Sequence, residues 1–332
     1  MTDENSSILR RAFSLVPRHH RILWWVFAVN LILGGLGASS TARAAASALH
    51  HRLAGERLAS RFDLGILAEL VSQPSVKLFR HSHGILPFAA FYFLFLLFIM
   101  PGIVSVYLED RRLTTGEFFA AVGEFLWPFV RLVLWSLIPF VAVDLLYESI
   151  QALSDYVGDR VTADQTSFFL LLIGCIPVAL LAVFVRFWFD LAQARTVAMN
   201  DRRTRRSAAR MFRVGLRQAG RVYWNYVLIG ALVWIVTGIA LLVWTRVPAR
   251  MVWLTFLLLE VIMLTHIFGR LWQKACATTW YRLNPEPVPV TPEPLPYTPP
   301  ETTAVTDVDV PLSPEVEPVP EALPPASSEN AE

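Results

Sequence analysis

The sequence contains little charge and few cysteines, and each shortage excludes a class of protein. Only 17% of its 332 residues are charged, against about 25% in soluble domains, so a soluble domain is not the first interpretation. Cys175 lies inside an apolar run and Cys276 directly after one. Two such cysteines build neither a disulfide framework nor a CxxC metal site.

Catalytic motifs are also missing. The sequence has no nucleophile–base pair, no HExxH and no phosphate-binding loop, so it predicts no enzyme, no cofactor and no metal site. The one metal alternative is a set of four histidines that could ligate zinc, although loop histidines are usually solvated. They are His50, His51, His81 and His83.

Long apolar runs dominate what is present. The chain is 55% hydrophobic with a mean hydropathy of +0.47, and a helix needs about 20 apolar residues to cross a bilayer. Backbone amides must be paired inside lipid, so each crossing segment is predicted to be helical. The predicted spans are 22–42, 84–108, 126–147, 168–189, 222–245 and 250–271. The expected fold is an all-α membrane protein with six transmembrane helices, short amphipathic helices on the inner surface and a disordered C-terminal tail.

The distribution of Lys and Arg predicts the orientation. With the N-terminus in the cytosol, 18 basic residues fall in cytosolic segments and 9 in outer ones, which favours both termini inside. The outer segment 43–83 holds six basic residues and argues the other way. This segment either carries surface helices or begins as an outward extension of the first span.

The first span has a competing interpretation as a signal peptide. The alanine-rich STARAAASA after it offers cleavage sites. The long leader and the charge of Arg43 favour an uncleaved anchor.

Three regions are predicted from composition. Residues 1–21 form a cytosolic amphipathic segment, 22–283 the six-helix domain and 284–332 the tail. From Pro285 onwards the chain has 14 prolines, 10 acidic residues and no Lys or Arg. Such a composition cannot form a packed core, so we expect a disordered acidic tail that is either solvated or docks a protein partner.

An arginine stripe lies between the fourth and fifth spans, in NDRRTRRSAARMFRVGLRQAGR. Spacings of 4, 4, 3, 4 and 4 place its members on one helical face. We expect this face to bind anionic lipid headgroups while Met211, Phe212 and Leu216 dip towards acyl chains. A topology signal alone, or a nucleic acid, is the weaker alternative. The stripe consists of Arg202, Arg206, Arg210, Arg213, Arg217 and Arg221.

Two polar residues within spans form a candidate intramembrane site. Glu260 lies near the middle of the sixth span, and Asn30 is placed at similar depth in the first. Glu260 either titrates as part of a proton or cation site or is a protonated carboxyl bonded to Asn30 or a hydroxyl. Arg186 and Asp190 are four residues apart and could pair.

The segments YLEDRRLTTGEFFAAV and DLAQARTVAMNDRRTRRSAARMFRVGLRQAGRVYW carry a resemblance. They are similar to a six-helix bacterial family, the integral membrane domain fused to some glycerophosphoryl diester phosphodiesterases and its mostly uncharacterised stand-alone relatives. The resemblance spans residues 84–282 and implies the fold and a bacterial cytoplasmic membrane location. The chain has no phosphodiesterase domain, so that activity is not implied.

The sequence thus predicts a non-catalytic membrane protein with an organising, assembly or regulatory role. Its predicted partners are anionic lipid and, through the tail, a protein; nucleic acid is not expected. A transporter of a small solute, lipid or proton through Glu260 and Asn30 is the alternative. A lipid-acting enzyme using the loop histidines is a third.

Overall fold

The computed structural model describes residues 2–49, 85–160, 164–201, 204–217, 220–248 and 251–285, and these ranges are helical with short links and no strand. The helices of the described residues are α1 (Thr2–Arg18), α2 (His20–Leu49), α3 (Ile85–Glu109), α4 (Thr115–Arg160), α5 (Asp164–Ala198), α6 (Thr204–Arg217), α7 (Gly220–Trp244) and α8 (Val252–Leu283).

Six of these helices are long and apolar enough to cross a membrane, namely α2, α3, α4, α5, α7 and α8. Each covers one of the predicted spans to within two residues at either end. The prediction of an all-α, multi-pass protein with six membrane-length helices is therefore confirmed.

α4 and α8 extend furthest past the ends of their predicted spans. α4 begins at Thr115 rather than at 126 and ends at Arg160 rather than at 147, and α8 continues to Leu283 rather than stopping at 271. Hydropathy identifies only the apolar part of a helix, whereas the hydrogen-bond ladder continues into polar sequence. At 1.5 Å per residue α4 is about 69 Å long, more than the roughly 45 Å of a whole bilayer.

The start of α4 is fixed by a capping box. The Thr114 Oγ1 accepts the Glu117 backbone N–H at 3.3 Å, and the Glu117 carboxylate accepts the Thr114 backbone N–H at 2.7 Å. This reciprocal pairing satisfies amide donors that the first helical turn leaves free. The helix consequently begins at the polar TTGE segment, well before its apolar run.

The first membrane helix extends outwards from its predicted span. α2 ends at Leu49, so the extension of the first span is confirmed for residues 43–49. Residues 50–84, which include the four loop histidines, lie outside the described residues, as does the tail from 286. The uncleaved anchor and the disordered tail stay predictions.

The buried core lies towards one end of the bundle, which we call the Asp110 end. The α1–α2 junction, the α3–α4 link, the α5–α6–α7 connection and the C-terminus of α8 belong to it. In α8 every buried residue lies from Ile267 onwards, whereas Trp253 and Leu257 are exposed. The core of this end includes Ile8, Ala12, Leu15 and Val16 of α1 with Tyr107, Phe187, Tyr226 and Leu271.

Glycines allow close helix packing at some positions and not at others. A Cβ at Gly102 would lie 2.5 Å from the Phe118 ring, and one at Gly269 would overlap Val233. At Gly34 and Gly35 of α2, no described residue outside the local helix backbone lies within 4 Å of such a Cβ.

Candidate functional site

A buried ionic network centred on Asp190 joins α5, α7 and α8. The Asp190 carboxylate accepts two N–H bonds from Arg270, at 2.7 Å to Oδ2 and 3.0 Å to Oδ1. Lys274 Nζ donates to Oδ1 at 2.8 Å, and the Tyr226 hydroxyl donates to Oδ2 at 3.0 Å. Four donors use the acceptor positions of one carboxylate. Asp190 is thus fully occupied within the protein.

Because the network is buried, it constrains how α5, α7 and α8 pack against one another. The Asp190 side chain is 0% exposed and that of Lys274 is 2% exposed, whereas Arg270 is 27% exposed. Lys274 also donates to the Gln193 side-chain oxygen. Buried charges are tolerated only where pairing and hydrogen bonds replace their hydration. The helices are therefore constrained to the positions that keep these bonds.

The sequence-based pairing of Asp190 with Arg186 is wrong. Asp190 binds residues of α8 instead, and Arg186 is exposed. The reason is that the side chains of α8 donate from across the helix interface, with better geometry than an Arg-first i,i+4 pair on one helix. From the sequence alone, Arg270 and Lys274 count only as charges that favour a cytosolic location. The sequence feature that indicates a shared role for these two cations is their i,i+4 spacing at the end of an apolar run.

The arginine stripe is exposed where the structure describes it, and its described members lie in two helical segments. Arg206, Arg210, Arg213 and Arg217 are exposed on α6, and Arg202 lies outside the described residues. Arg221 belongs to α7, which begins at Gly220. Residues 218 and 219, between Arg217 and Gly220, lie outside the described residues, so the prediction of one helix carrying the whole stripe stays a prediction.

α6 is docked on α5 by its opposite face. The Trp188 Nε1 donates to the Ala208 carbonyl at 2.7 Å, and the ring of Phe212 packs edge-on against Phe184 and Trp188. Met211 is 1% exposed. The expectation that Met211 faces acyl chains is wrong, because it is buried in the docking face of α6.

A polar clasp holds the link between α5 and α6. The Arg195 guanidinium donates to Asp201 Oδ2 at 2.9 Å and to Ser207 Oγ at 2.6 Å. Ser207 Oγ in turn donates to Asp201 at 3.0 Å. Arg195 is 9% exposed, so this clasp resists solvent competition better than a surface pair. It fixes the position from which α6 starts.

The predicted intramembrane pair is not hydrogen-bonded within the described residues. Asn30 and Glu260 are both partly buried. Glu260 Oε2 is enclosed and has no hydrogen-bond partner among the described residues. His266, one and a half turns further along α8, instead shares a 2.9 Å hydrogen bond with the Thr237 hydroxyl. The Glu260 carboxyl thus has an enclosed oxygen without a hydrogen-bond partner among the described residues, in a mostly apolar part of α8.

Asp110 links the first and last helices of the bundle. It ends α3 with a positive φ of 53°, a conformation that Asp adopts more readily than most residues. Its carboxylate accepts Arg18 Nη1 at 2.8 Å and Arg282 Nη1 at 3.2 Å. These pairs are partly exposed and individually weak. They nevertheless place both ends of the described chain beside the α3–α4 link.

His19 lies buried beside this point, at the junction of α1 and α2. Its ring is 6.1 Å from that of Tyr107, and its Nε2 has no hydrogen-bond partner among the described residues. Burial lowers the pKa of His19; Asp110 opposes this shift, and Arg18 and Arg112 add to it. His19 is therefore held as the neutral imidazole at neutral pH.

Metal ligands do not cluster within the described ranges, where no group of three His, Cys, Asp or Glu residues is positioned to hold an ion. The histidine pairs on which the zinc alternative depends fall in the range 50–84, outside that search. The alternative stays a prediction.

Comparison with known proteins gives no relative: no protein-family model, curated protein or solved structure matches this chain. The resemblance to the phosphodiesterase-associated membrane domain stays a prediction based on its own residues.

Proposed function

We propose that this protein is a non-catalytic integral membrane protein with an organising, assembly or regulatory role, seated on anionic lipid by the arginines of α6. The observation that carries the proposal is the division of α6 into a buried face and an opposite, exposed arginine face. The buried face consists of Thr204, Ser207, Ala208, Met211 and Gly215.

The angular order of the side chains around α6 suits a helix at a membrane surface. With Thr204 at zero and 3.6 residues per turn, the buried face lies within about 60° of zero, and the exposed Phe212 and Leu216 lie at roughly 80–120°. The four described arginines of the stripe on α6 follow at roughly 180–240°, whereas Arg205, at roughly 100°, lies over the Trp135 ring. Phe212 and Leu216 thus lie next to the docked face of α6, and the stripe arginines lie further round the helix. This order matches that of acyl chains and headgroups at a membrane surface.

The proposed location is the cytoplasmic membrane of a bacterium, with both termini in the cytosol. The excess of Lys and Arg in the segments of the Asp110 end supports this orientation. The acidic tail would then extend from the same side and be available to a cytosolic protein.

The lipid seat is tested by thermal unfolding in nanodiscs of phosphatidylcholine with and without phosphatidylglycerol. We expect phosphatidylglycerol to raise the midpoint of the native protein, and the triple change Arg206→Gln, Arg213→Gln and Arg217→Gln to remove most of that rise. Salt should weaken the rise as well, because exposed charges are screened over about 10 Å at 0.1 M.

Arg246→Gln is the matched control, since Arg246 is exposed at the other end of α7. An unchanged rise in the triple variant would refute the lipid seat. The organising role is tested separately by a pull-down from detergent extracts with the full chain and a chain ending at Asn284. Identical partners for both chains would contradict a role for the tail.

A transporter is the second candidate, supported by the enclosed, unpaired Glu260 Oε2. A carboxyl at this depth without a partner is costly unless it carries a proton or meets a cation. In liposomes, Glu260→Gln should then abolish proton uptake while leaving insertion intact. Equal uptake by both proteins would exclude this candidate.

A further inference from the structure

The Asp190 network contains more positive than negative charge. Within the described residues, Asp190 is the one carboxylate that pairs with Arg270 and Lys274. Arg186 lies four residues before Asp190 on α5, which at roughly 100° per residue places both on the same side of that helix. Three cations around one anion leave two positive charges uncompensated. Such an excess at the edge of a low-dielectric interior is unfavourable without a further anion.

The excess charge has donors that are free to bind an anion. Arg186 is exposed, and its guanidinium has no hydrogen-bond or ion-pair partner among the described residues. Arg270 is 27% exposed and uses two of its N–H groups on Asp190. A guanidinium carries five donors, so Arg270 retains donors on its accessible side.

These two arginines lie at the level of a membrane surface. Arg186 is midway between Phe184 and Trp188, which contact α6, and at roughly 100° per residue it lies about 160–200° around α5 from them. The Tyr223 hydroxyl donates to the Leu180 carbonyl at 2.9 Å, beside the exposed Trp224. Tryptophan is enriched where hydrocarbon meets headgroups.

The chemistry of the pair selects a phosphate oxyanion. The planar guanidinium fork matches the spacing of phosphate oxygens and binds them with two parallel N–H bonds. At this depth phosphate is available as the headgroup of a membrane lipid. The carboxylate of Asp190 cannot serve both arginines, since its acceptor positions are already filled by Arg270, Lys274 and Tyr226.

We propose that Arg186 and Arg270 together bind the phosphate group of one anionic lipid where α5 meets α8 at the Asp110 end. This site is separate from the arginine face of α6, because the two lie on opposite sides of α5. The proposal rests on the lipid-seated function proposed above. It adds a site for one lipid molecule to the α6 surface, which contacts headgroups without a fixed number.

The decisive experiment compares the native protein with Arg186→Gln in maltoside detergent, which contains no phosphate, and in nanodiscs containing phosphatidylglycerol. In detergent, Arg186→Gln should unfold at the same or a higher temperature, because the change removes repulsion from Arg270 and Lys274. In the nanodiscs the variant should lose the part of the phosphatidylglycerol-dependent rise that the triple α6 variant retains. Mass spectrometry of the released native protein should show one retained phosphatidylglycerol that the variant lacks.

Running Arg186→Gln in the background of the triple α6 variant separates the two sites. If Arg186→Gln retains the lipid and shows the full rise of the midpoint, this site is refuted and the α6 seat is not affected. If Arg186→Gln has a lower midpoint than the native protein in detergent, Arg186 has a purely structural role. Inorganic phosphate, added to the detergent-solubilised protein at matched ionic strength, should produce no rise. If it reproduces the whole rise, the ligand is free phosphate and the lipid assignment is wrong.

Discussion

Lys274 Nζ lies 2.8 Å from Asp190 Oδ1, and neither side chain is more than 2% exposed. We predict that Asp190→Asn lowers the free energy of unfolding by about 3–5 kcal/mol, the usual effect of removing one member of a buried ion pair. The lost anion leaves Lys274 and Arg270 without compensation. Denaturant unfolding in mixed micelles measures the change, with the exposed Asp144→Asn as control. Equal stability of the two variants would contradict the prediction.

Lys274→Met should be milder than Asp190→Asn. Asp190 then keeps Arg270 and the Tyr226 hydroxyl, and methionine fills much of the lysine volume. The same unfolding assay ranks the two variants. A Lys274→Met protein less stable than Asp190→Asn would indicate that Gln193 or another neighbour depends on the ammonium group more than Asp190 does.

Much of this architecture was predictable, and the network was not. An apolar run of 20 residues specifies a membrane helix locally, which is why six spans matched six helices. The partners of Asp190 lie 36, 80 and 84 residues further along the chain, and no local pattern specifies which helices become neighbours. The same limit explains why Arg186 was paired with Asp190 and why Met211 was expected to face lipid.

Gly102 and Gly123 should respond oppositely to alanine. The Gly102 Cβ would lie 2.5 Å from Phe118, whereas no described residue outside the local helix backbone lies within 4 Å of one at Gly123. We expect Gly102→Ala to destabilise by about 1–3 kcal/mol through overpacking and Gly123→Ala to stabilise by about 0.5–1 kcal/mol. Thermal midpoints of the two variants in one detergent test this, and a gain at Gly102 would show that the Phe118 ring moves freely.

The protein should lose stability in mild acid through His19. Burial lowers the pKa of this imidazole, so below about pH 6.5 the unfolded chain binds a proton that the folded chain does not. The free energy of unfolding should therefore decrease as the pH is lowered, until the pH is below the pKa of His19 in the folded state. His19→Gln should flatten this dependence of the thermal midpoint, and the exposed His20→Gln should preserve it. A parallel pH profile for the native protein and His19→Gln would rule out the effect.

α6 should detach more easily when Trp188 cannot donate a hydrogen bond. Trp188→Phe removes the 2.7 Å bond to the Ala208 carbonyl, and a neutral hydrogen bond contributes about 0.5–1.5 kcal/mol. Amide hydrogen exchange across 204–217 should therefore accelerate several-fold. Trp224→Phe, at an exposed tryptophan, should leave that exchange unchanged.

The distance along the chain between Asp190 and its cations has a consequence for biosynthesis. Arg270 is made 80 residues after Asp190, which at roughly 5–20 residues per second takes about 4–16 s. During that interval the nascent chain carries a carboxylate whose permanent cations do not yet exist. The last helix thus supplies the two cations that pair with Asp190, and a chain arrested before it should be a preferred target of membrane quality control.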